Sequence, residues 1–289
     1  VKSGLVALLV AALLLPQRAA KPADAISVSA EARAKQPGEL VVLTLTIPHA
    51  STSPPQVRAF DRALLPFQVD PATWKVLVGI DLETAPGTYP VTIEVGAPEP
   101  VAKTTYSLVV RAKTFPTRTL KVDEAFVNPP ASAEARIASD SARLADIWQH
   151  SSSAQLWLGP FIRPVPNEAN SAFGTRSVYN GQPRSPHSGA DFLSPAGTPI
   201  KSPNSGEIML ADDLYFTGNT VVIDHGLGLF SLFAHLEKIN VQRGQRVATG
   251  DVVGLVGATG RVTGPHLHWM VRVGGARVDP LSLLAMLGK

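Results

Sequence analysis

The 289-residue chain contains no cysteine. That excludes disulfides, thiolate metal ligands, a cysteine nucleophile and a lipidated cysteine anchor, so any bound metal must be held by His, Asp or Glu. Aromatic residues are scarce, at 6%, and charge is modest, with 26 Lys+Arg against 23 Asp+Glu. Most of the basic excess lies in the first 25 residues, where Lys2, Arg18 and Lys21 face only Asp24. No basic cluster interleaved with aromatics occurs, which argues against a nucleic-acid partner. A membrane-spanning run is missing too: the apolar stretch from Leu5 to Leu15 is too short to cross a bilayer. With one preceding basic residue, a stop at Pro16 and the small-x-small site Ala23-Asp24-Ala25, residues 1–25 read as a secretory signal. Export to the periplasm or cell envelope follows, with no stable membrane span after cleavage.

Prolines (25) and glycines (23) are plentiful, and hydrophobic residues reach 45% against 17% charged. That composition describes a packed protein of short strands and tight turns, long enough for two modest domains. From Ile26 to about residue 112, strands at Ile26–Val28, Glu39–Ile47, a pair within Val57–Val69, Trp74–Ile80, Val91–Val95 and Thr105–Val110 suggest a β-sandwich. In Trp74–Ile80 the residues Trp74, Val76, Val78 and Ile80 alternate onto one face. The turn Pro86-Gly87-Thr88-Tyr89 resembles the strand entries of bacterial immunoglobulin-like domains. His49 reads as a surface turn residue.

Residues 113–155 read as a linker. Its first part, Phe115 to Pro130, is a connector, and Ala131 to His150 is a helix with Ile137, Leu144, Ile147 and Trp148 on one stripe. His150 is then a favourable charge at the helix C-terminus. Residues 156–289 return to strands and glycine turns, with candidates at Thr198–Ser202, Gly206–Ala211, Thr220–Asp224, Leu229–Leu236, Val252–Val256 and His266–Val273, and a short amphipathic tail at Leu281–Leu287.

Five of the seven histidines fall in this last region. In the strand His266 to Val273, alternation places His266, His268, Met270 and Arg272 on one side and Leu267, Trp269, Val271 and Val273 on the core side. His187 and Asp191 are four apart, but Pro186 and Gly189 exclude a helix; a turn carrying His into a strand carrying Asp fits better. Zinc accepts imidazole nitrogen and carboxylate oxygen, and three protein ligands leave a position for water. Spacing alone leaves open whether His266, His268 or both bind the metal, with His235 at a strand terminus within reach. His225 and the glycines Gly254, Gly257 and Gly260 read as turn residues, and Glu237 as a solvated carboxylate. No His-Glu-x-x-His helix, Gly-x-Ser-x-Gly elbow or nucleotide loop is present.

The motifs His187-x-x-x-Asp191, Phe233-Ala234-His235-Leu236 and Gly264-Pro265-His266-Leu267-His268-Trp269 resemble, in order, those of the lysostaphin/LytM-type zinc endopeptidases. Phe173-Gly174-x-Arg176, Ser188-Gly189 and Gly218-Asn219 add to the likeness, which runs from about Asn167 to Leu284. Phe233 stands where that family often has Tyr. The resemblance implies one zinc ion bound by His187, Asp191 and His268, with His235 and His266 as catalytic histidines facing the attacked carbonyl. Taken with the strand and helix readings above, the expected protein is mainly β: an immunoglobulin-like sandwich, one linking helix and, as the resemblance implies, an antiparallel-sheet LytM-type catalytic domain. The expected activity is hydrolysis of peptide cross-links in bacterial peptidoglycan, of the D-alanyl-diaminopimelate kind. The alternative is a non-catalytic envelope protein that activates a cell-wall amidase.

Overall fold

The computed structural model describes residues 25–48, 53–96, 102–122, 124–169 and 173–288. Residues 1–24 of the expected signal and the turn residue His49 lie outside the described residues. Among those described, no helix is long and apolar enough to cross a membrane.

Eight strands form the N-terminal part: β1 (Ser27–Ala32), β2 (Leu40–Thr46), β3 (Gln56–Ala59), β4 (Arg62–Leu64), β5 (Phe67–Asp70), β6 (Thr73–Gly79), β7 (Gly87–Val95) and β8 (Ala102–Val110). They make two four-stranded antiparallel sheets, ordered β1-β2-β6-β5 and β4-β3-β7-β8. Leu43, Leu45, Trp74, Val76 and Val78 of one sheet share a core with Val57, Val91, Ile93 and Leu108 of the other. Where the sequence suggested one strand pair between Val57 and Val69, there are three short strands. Phe60 and Asp61 adopt positive φ in a two-residue turn joining β3 to β4, and β5 crosses to the other sheet.

The alternation expected in β6 holds for one face only. Leu77 is also buried and joins Leu40 and Val42 of β2 in a second core, shared with the C-terminal sheet. The sandwich therefore buries the outer face of one sheet against its neighbour. Gly79 sits in this seam, where a Cβ would stand 2.7 Å from the Val273 carbonyl oxygen and 2.8 Å from the Ala276 Cβ. Polar contacts ring this seam. Arg33 bridges Glu39 and Asp279 at 2.8 and 2.7 Å, and Arg277 meets Asp81 at 2.6 Å. The Leu40 N–H donates to Ser282 Oγ at 3.0 Å.

The rest of the chain comprises β9 (Thr117–Leu120), α1 (Glu124–Val127), α2 (Glu134–Ile147), β10 (Arg176–Tyr179), β11 (Gln182–Pro183), β12 (Gly189–Phe192), β13 (Pro199–Lys201), β14 (Gly206–Leu214), β15 (Gly218–Gly226), β16 (Leu229–Ile239), β17 (Arg246–Val247), β18 (Val252–Val256), β19 (Leu267–Val273), β20 (Ala276–Val278) and α3 (Pro280–Leu287). The main sheet runs β12-β19-β16-β15-β14-β17, with β18 on β16, β13 on β18 and β20 on β19. Its core holds Phe192 and Phe233 with Leu267, Trp269, Val271 and Val273, the four residues that β19 parity assigned inward.

The connector expected between Phe115 and Pro130 is more than a linker. Its strand β9 pairs in parallel with β10, Thr117 opposite Arg176 and Leu120 opposite Tyr179. The helix α2 is shorter than the expected Ala131–His150 span. It docks Ile147, Leu144 and Trp148 on Leu210, Leu214 and Phe230, while Arg136 and Arg143 reach Asp213 and Asp212. Ile137, placed on the same stripe, is not part of that cluster.

Candidate metal centre and cleft

Three strands deliver the site. β12 pairs antiparallel with β19, putting Asp191 directly opposite His268, and β16 pairs with β19 so that Ala234 faces His268 from the other side. His187 enters from the preceding turn, where its N–H donates to the Thr175 carbonyl at 2.9 Å and its own carbonyl accepts from Gly174 N–H at 2.7 Å. Glycine is required at position 189 because the His268 ring lies against it: a Cβ there would be 2.7 Å from that imidazole and 2.4 Å from the Trp269 carbonyl oxygen.

The result is a small triangle of ligand atoms. His187 Nε2 lies 3.0 Å from Asp191 Oδ1 and 3.0 Å from His268 Nδ1, and His268 Nδ1 lies 2.9 Å from Asp191 Oδ1. Ligand atoms of a tetrahedral zinc at about 2.0–2.2 Å stand roughly 3.3 Å apart, so the triangle fits such an ion. Hydrogen bonding alone explains it poorly. Two imidazole N–H groups aimed at one carboxylate oxygen would crowd their hydrogens together, whereas lone pairs converging on a cation would not. Among the described residues this is the group of His, Asp and Glu side chains close enough to share an ion.

Burial opposes ionisation of Asp191, but the two imidazoles overcome it and hold the carboxyl far below its usual range. Burial pushes the His268 imidazole down from its ordinary value, with the Asp191 carboxylate opposing.

His235 and His266 stand beside the triangle without belonging to it. Their ring centroids are 5.0 Å apart, His235 is 6.0 Å from the His268 ring, and His266 Nε2 is 3.9 Å from Asp191 Oδ1. Each ring is oriented by a carbonyl: His235 Nδ1 meets Thr259 O at 3.0 Å, and His266 Nδ1 meets Gly264 O at 2.9 Å. A carbonyl only accepts, so each Nδ1 carries a proton, and the lone pair of the neutral ring is then on Nε2. Burial, aided by the His268 and His266 rings, pushes His235 down to about 3.

His235 was expected at a strand terminus. It instead sits within β16 at φ 66, a left-handed kink that only a specific environment sustains in a non-glycine residue. The kink coincides with register shifts against β15 and β18 and is pinned by the His235 N–H donating to Thr217 O at 2.8 Å.

His225, read from sequence as a turn residue, lies in β15 and is fully buried. Its Nδ1–H donates to Ser205 O at 2.8 Å, and its Nε2 accepts from Ser231 Oγ at 3.0 Å. Gly254 and Gly257 are also not turn residues. They allow β18 and the bridge to His266 to pass against Leu236 and Glu237, where a Cβ at Gly257 would stand 2.2 Å from the Glu237 nitrogen. Glu237 itself is exposed, as expected.

The five residues open into a cleft of about 730 Å³. One wall comes from the connector, through Pro116, Arg118, Leu120 and Val122, and the lining also includes Phe216, Thr217 and Arg261 to Thr263. Sequence reasoning missed this wall. Every residue of β9 is exposed, and the run Thr-Arg-Thr-Leu carries no apolar alternation to announce a strand.

Comparison with known proteins agrees with this geometry. Residues 185–280 match the model of peptidase family M23. The chain is 43% identical over 97 residues to the Vibrio cholerae peptidoglycan DD-endopeptidase ShyA, an alignment covering 34% of this chain and 23% of ShyA. It is 41% identical over 97 residues to the DD-carboxypeptidase/endopeptidase Mpg of Neisseria meningitidis, covering 34% of this chain and 22% of Mpg. The matched segment thus spans about a quarter of these curated relatives. A crystal structure assigned to peptidase M23 from Pseudomonas aeruginosa superposes with a TM-score of 0.69 at 33% identity, covering 86% of this chain and 95% of that one. Sequence, sheet and site together place the chain in peptidase family M23.

Proposed function

We propose that this protein is a zinc-dependent endopeptidase that hydrolyses peptide cross-links of bacterial peptidoglycan, of the D-alanyl-diaminopimelate kind. The carrying observation is the triangle of His187 Nε2, Asp191 Oδ1 and His268 Nδ1 at 2.9–3.0 Å, in a cleft lined by two further imidazoles. Those three atoms would hold the zinc. When bound, the ion supplies a Lewis acid that polarises a carbonyl and brings the pKa of water down to about 7. The chain's own contribution lies in His235 and His266. Their Nδ1–H bonds to Thr259 O and Gly264 O fix both rings, and one of the two, His235 or His266, takes a proton from the attacking water and returns it to the leaving nitrogen. No glutamate stands in the cleft to compete for that task among the described residues.

We read the sandwich as immunoglobulin-like, because its orders β1-β2-β6-β5 and β4-β3-β7-β8 follow the pattern of such domains. In this reading residues 1–25 are a secretory signal, 26–112 the sandwich, 113–155 a linker that also walls the cleft, and 156–289 the catalytic domain of an exported envelope protein. A purely amidase-activating role has no support in a site whose ligands are all in place.

The test is digestion of purified cross-linked muropeptide dimers by the zinc-loaded protein, followed by mass spectrometry. Conversion to monomers that stops with a chelator and returns with zinc supports the assignment. Dimers left intact at full zinc occupancy would overturn it.

A further inference from the structure

The cleft continues past His187 into a recess of about 390 Å³. Arg118 of β9, Arg184 and Arg261 line it, and Arg118 and Arg261 also line the cleft above the metal group. No Asp or Glu is among the described residues lining the recess. Five arginines elsewhere, Arg33, Arg136, Arg143, Arg163 and Arg277, each meet a carboxylate oxygen at 2.6–2.8 Å.

Arg118 and Arg184 are oriented by neutral groups. Arg118 Nε donates to Ser177 Oγ at 2.9 Å, and Arg184 Nη2 donates to Gln182 Oε1 at 2.9 Å. Both partners are neutral, so they fix the side chains without cancelling their charge. Arg184 Nε is buried with no acceptor. The Arg261 guanidinium lies 4.3 Å above the Phe216 ring. Burial and then the charge of Arg184 push Arg261 below its ordinary value, as expected of like charges sharing a half-buried space. A guanidinium presents paired donors that match the two oxygens of a carboxylate, and an anion placed between such groups relieves their repulsion.

We propose that this recess is a carboxylate-binding subsite, in which Arg118, Arg184 and Arg261 take a free carboxylate carried by the peptide substrate next to the bond being cut. The inference rests on the endopeptidase reading and sharpens its substrate class. A cross-link whose amide nitrogen belongs to an acid-bearing residue, as in diaminopimelate, supplies the anion. A glycyl bridge supplies none. His187 lines both the cleft and the recess, so the carboxylate would bind within one residue's reach of the metal group.

The test uses two cross-linked peptides that differ only in whether the residue donating the amide nitrogen carries a free carboxylate or its carboxamide. Zinc-loaded wild type, Arg118→Gln and Arg184→Gln are compared for kcat, KM, zinc content and calorimetric binding of each peptide. Wild type is expected to show a KM and a dissociation constant at least tenfold lower for the carboxylate. Each variant should lose most of that preference, through a raised KM and dissociation constant for the carboxylate peptide, while keeping its zinc. Variants that keep the preference, or a wild type that has none, would overturn the subsite. If wild type cuts neither peptide, the endopeptidase reading fails, and calorimetry still decides: carboxylate- and arginine-dependent binding upholds the subsite, and its absence rejects it. Binding through the metal alone would not respond to the arginine changes, which also counts against it. Arg118 is exposed, so Arg118→Gln decides the matter if Arg184→Gln fails to fold.

Discussion

Two groups of histidine lie on one sheet and do opposite things. His225, at the end of β15, has both ring nitrogens satisfied by Ser205 O and Ser231 Oγ, and Ser231 also accepts from the Trp269 indole at 3.2 Å. That chain of hydrogen bonds is closed and sealed in the core. Along β16 and β19, His235 and His268 are also nearly buried, at 8% and 9% exposure, but with His187 and His266 they converge on a cleft open to solvent. Burial therefore does not separate a histidine closed off in the core from one that faces a cleft. What separates them is whether the second ring nitrogen is used inside the protein or aimed at a space where a ligand fits.

The largest expected effect is at the metal group. His268→Ala should abolish turnover of cross-linked muropeptides, a fall of at least a thousandfold in kcat/KM, because it removes one of the three proposed ligands. His266→Ala and His235→Ala should keep the metal and lose about 10²–10⁴ in kcat, the usual scale of a proton-transfer group. If either variant loses zinc as His268→Ala does, the division between ligands and proton carriers is wrong.

His225→Ala sharpens the contrast from the other side. It should cost about 2–4 kcal/mol of stability, from a cavity and two stranded partners, while the folded fraction retains its specific activity. Denaturant melts paired with activity per folded molecule check this. His225 also carries a pH signature. Burial pushes its imidazole down to about 4 from an ordinary 6.5, so the neutral form is favoured in the native state. Its contribution is whole above about pH 6.5 and is lost as pH falls from there to about 4, at roughly 1.4 kcal/mol per unit. His225→Gln should flatten that part of the stability curve; an unchanged slope would show that the ring is not held neutral. Ser231→Ala should have the smallest effect, about 1–3 kcal/mol, by leaving the Trp269 N–H and His225 Nε2 without partners.

The histidine strand was legible because period-two alternation is local: it separated Leu267, Trp269, Val271 and Val273 from His266 and His268 without knowledge of the partner strand. The choice between His266 and His268 was not legible from spacing, since it depends on Asp191 lying opposite His268 across the β12–β19 pairing, a long-range register. The kink at His235 had no signal, because nothing in Ala234-His235-Leu236 demands a left-handed residue. The seam between sandwich and sheet was half visible. The unbroken apolar runs Leu40–Leu43 and Val76–Val78 mark strands covered on both faces, but alternation fixes attention on one. β9 was invisible, being held by parallel pairing to β10 and not by its own pattern.

The central claim is that His187, Asp191 and His268 form one metal site while His235 and His266 do not belong to it. Equilibrium titration of zinc against a competing chelator, on wild type and the five single alanine variants, tests it directly. The expected result is one zinc per chain, affinity reduced at least a hundredfold by His187→Ala, Asp191→Ala or His268→Ala, and a change of only a few-fold for the other two. Equal loss across all five variants, or zinc affinity indifferent to His268→Ala, would contradict it.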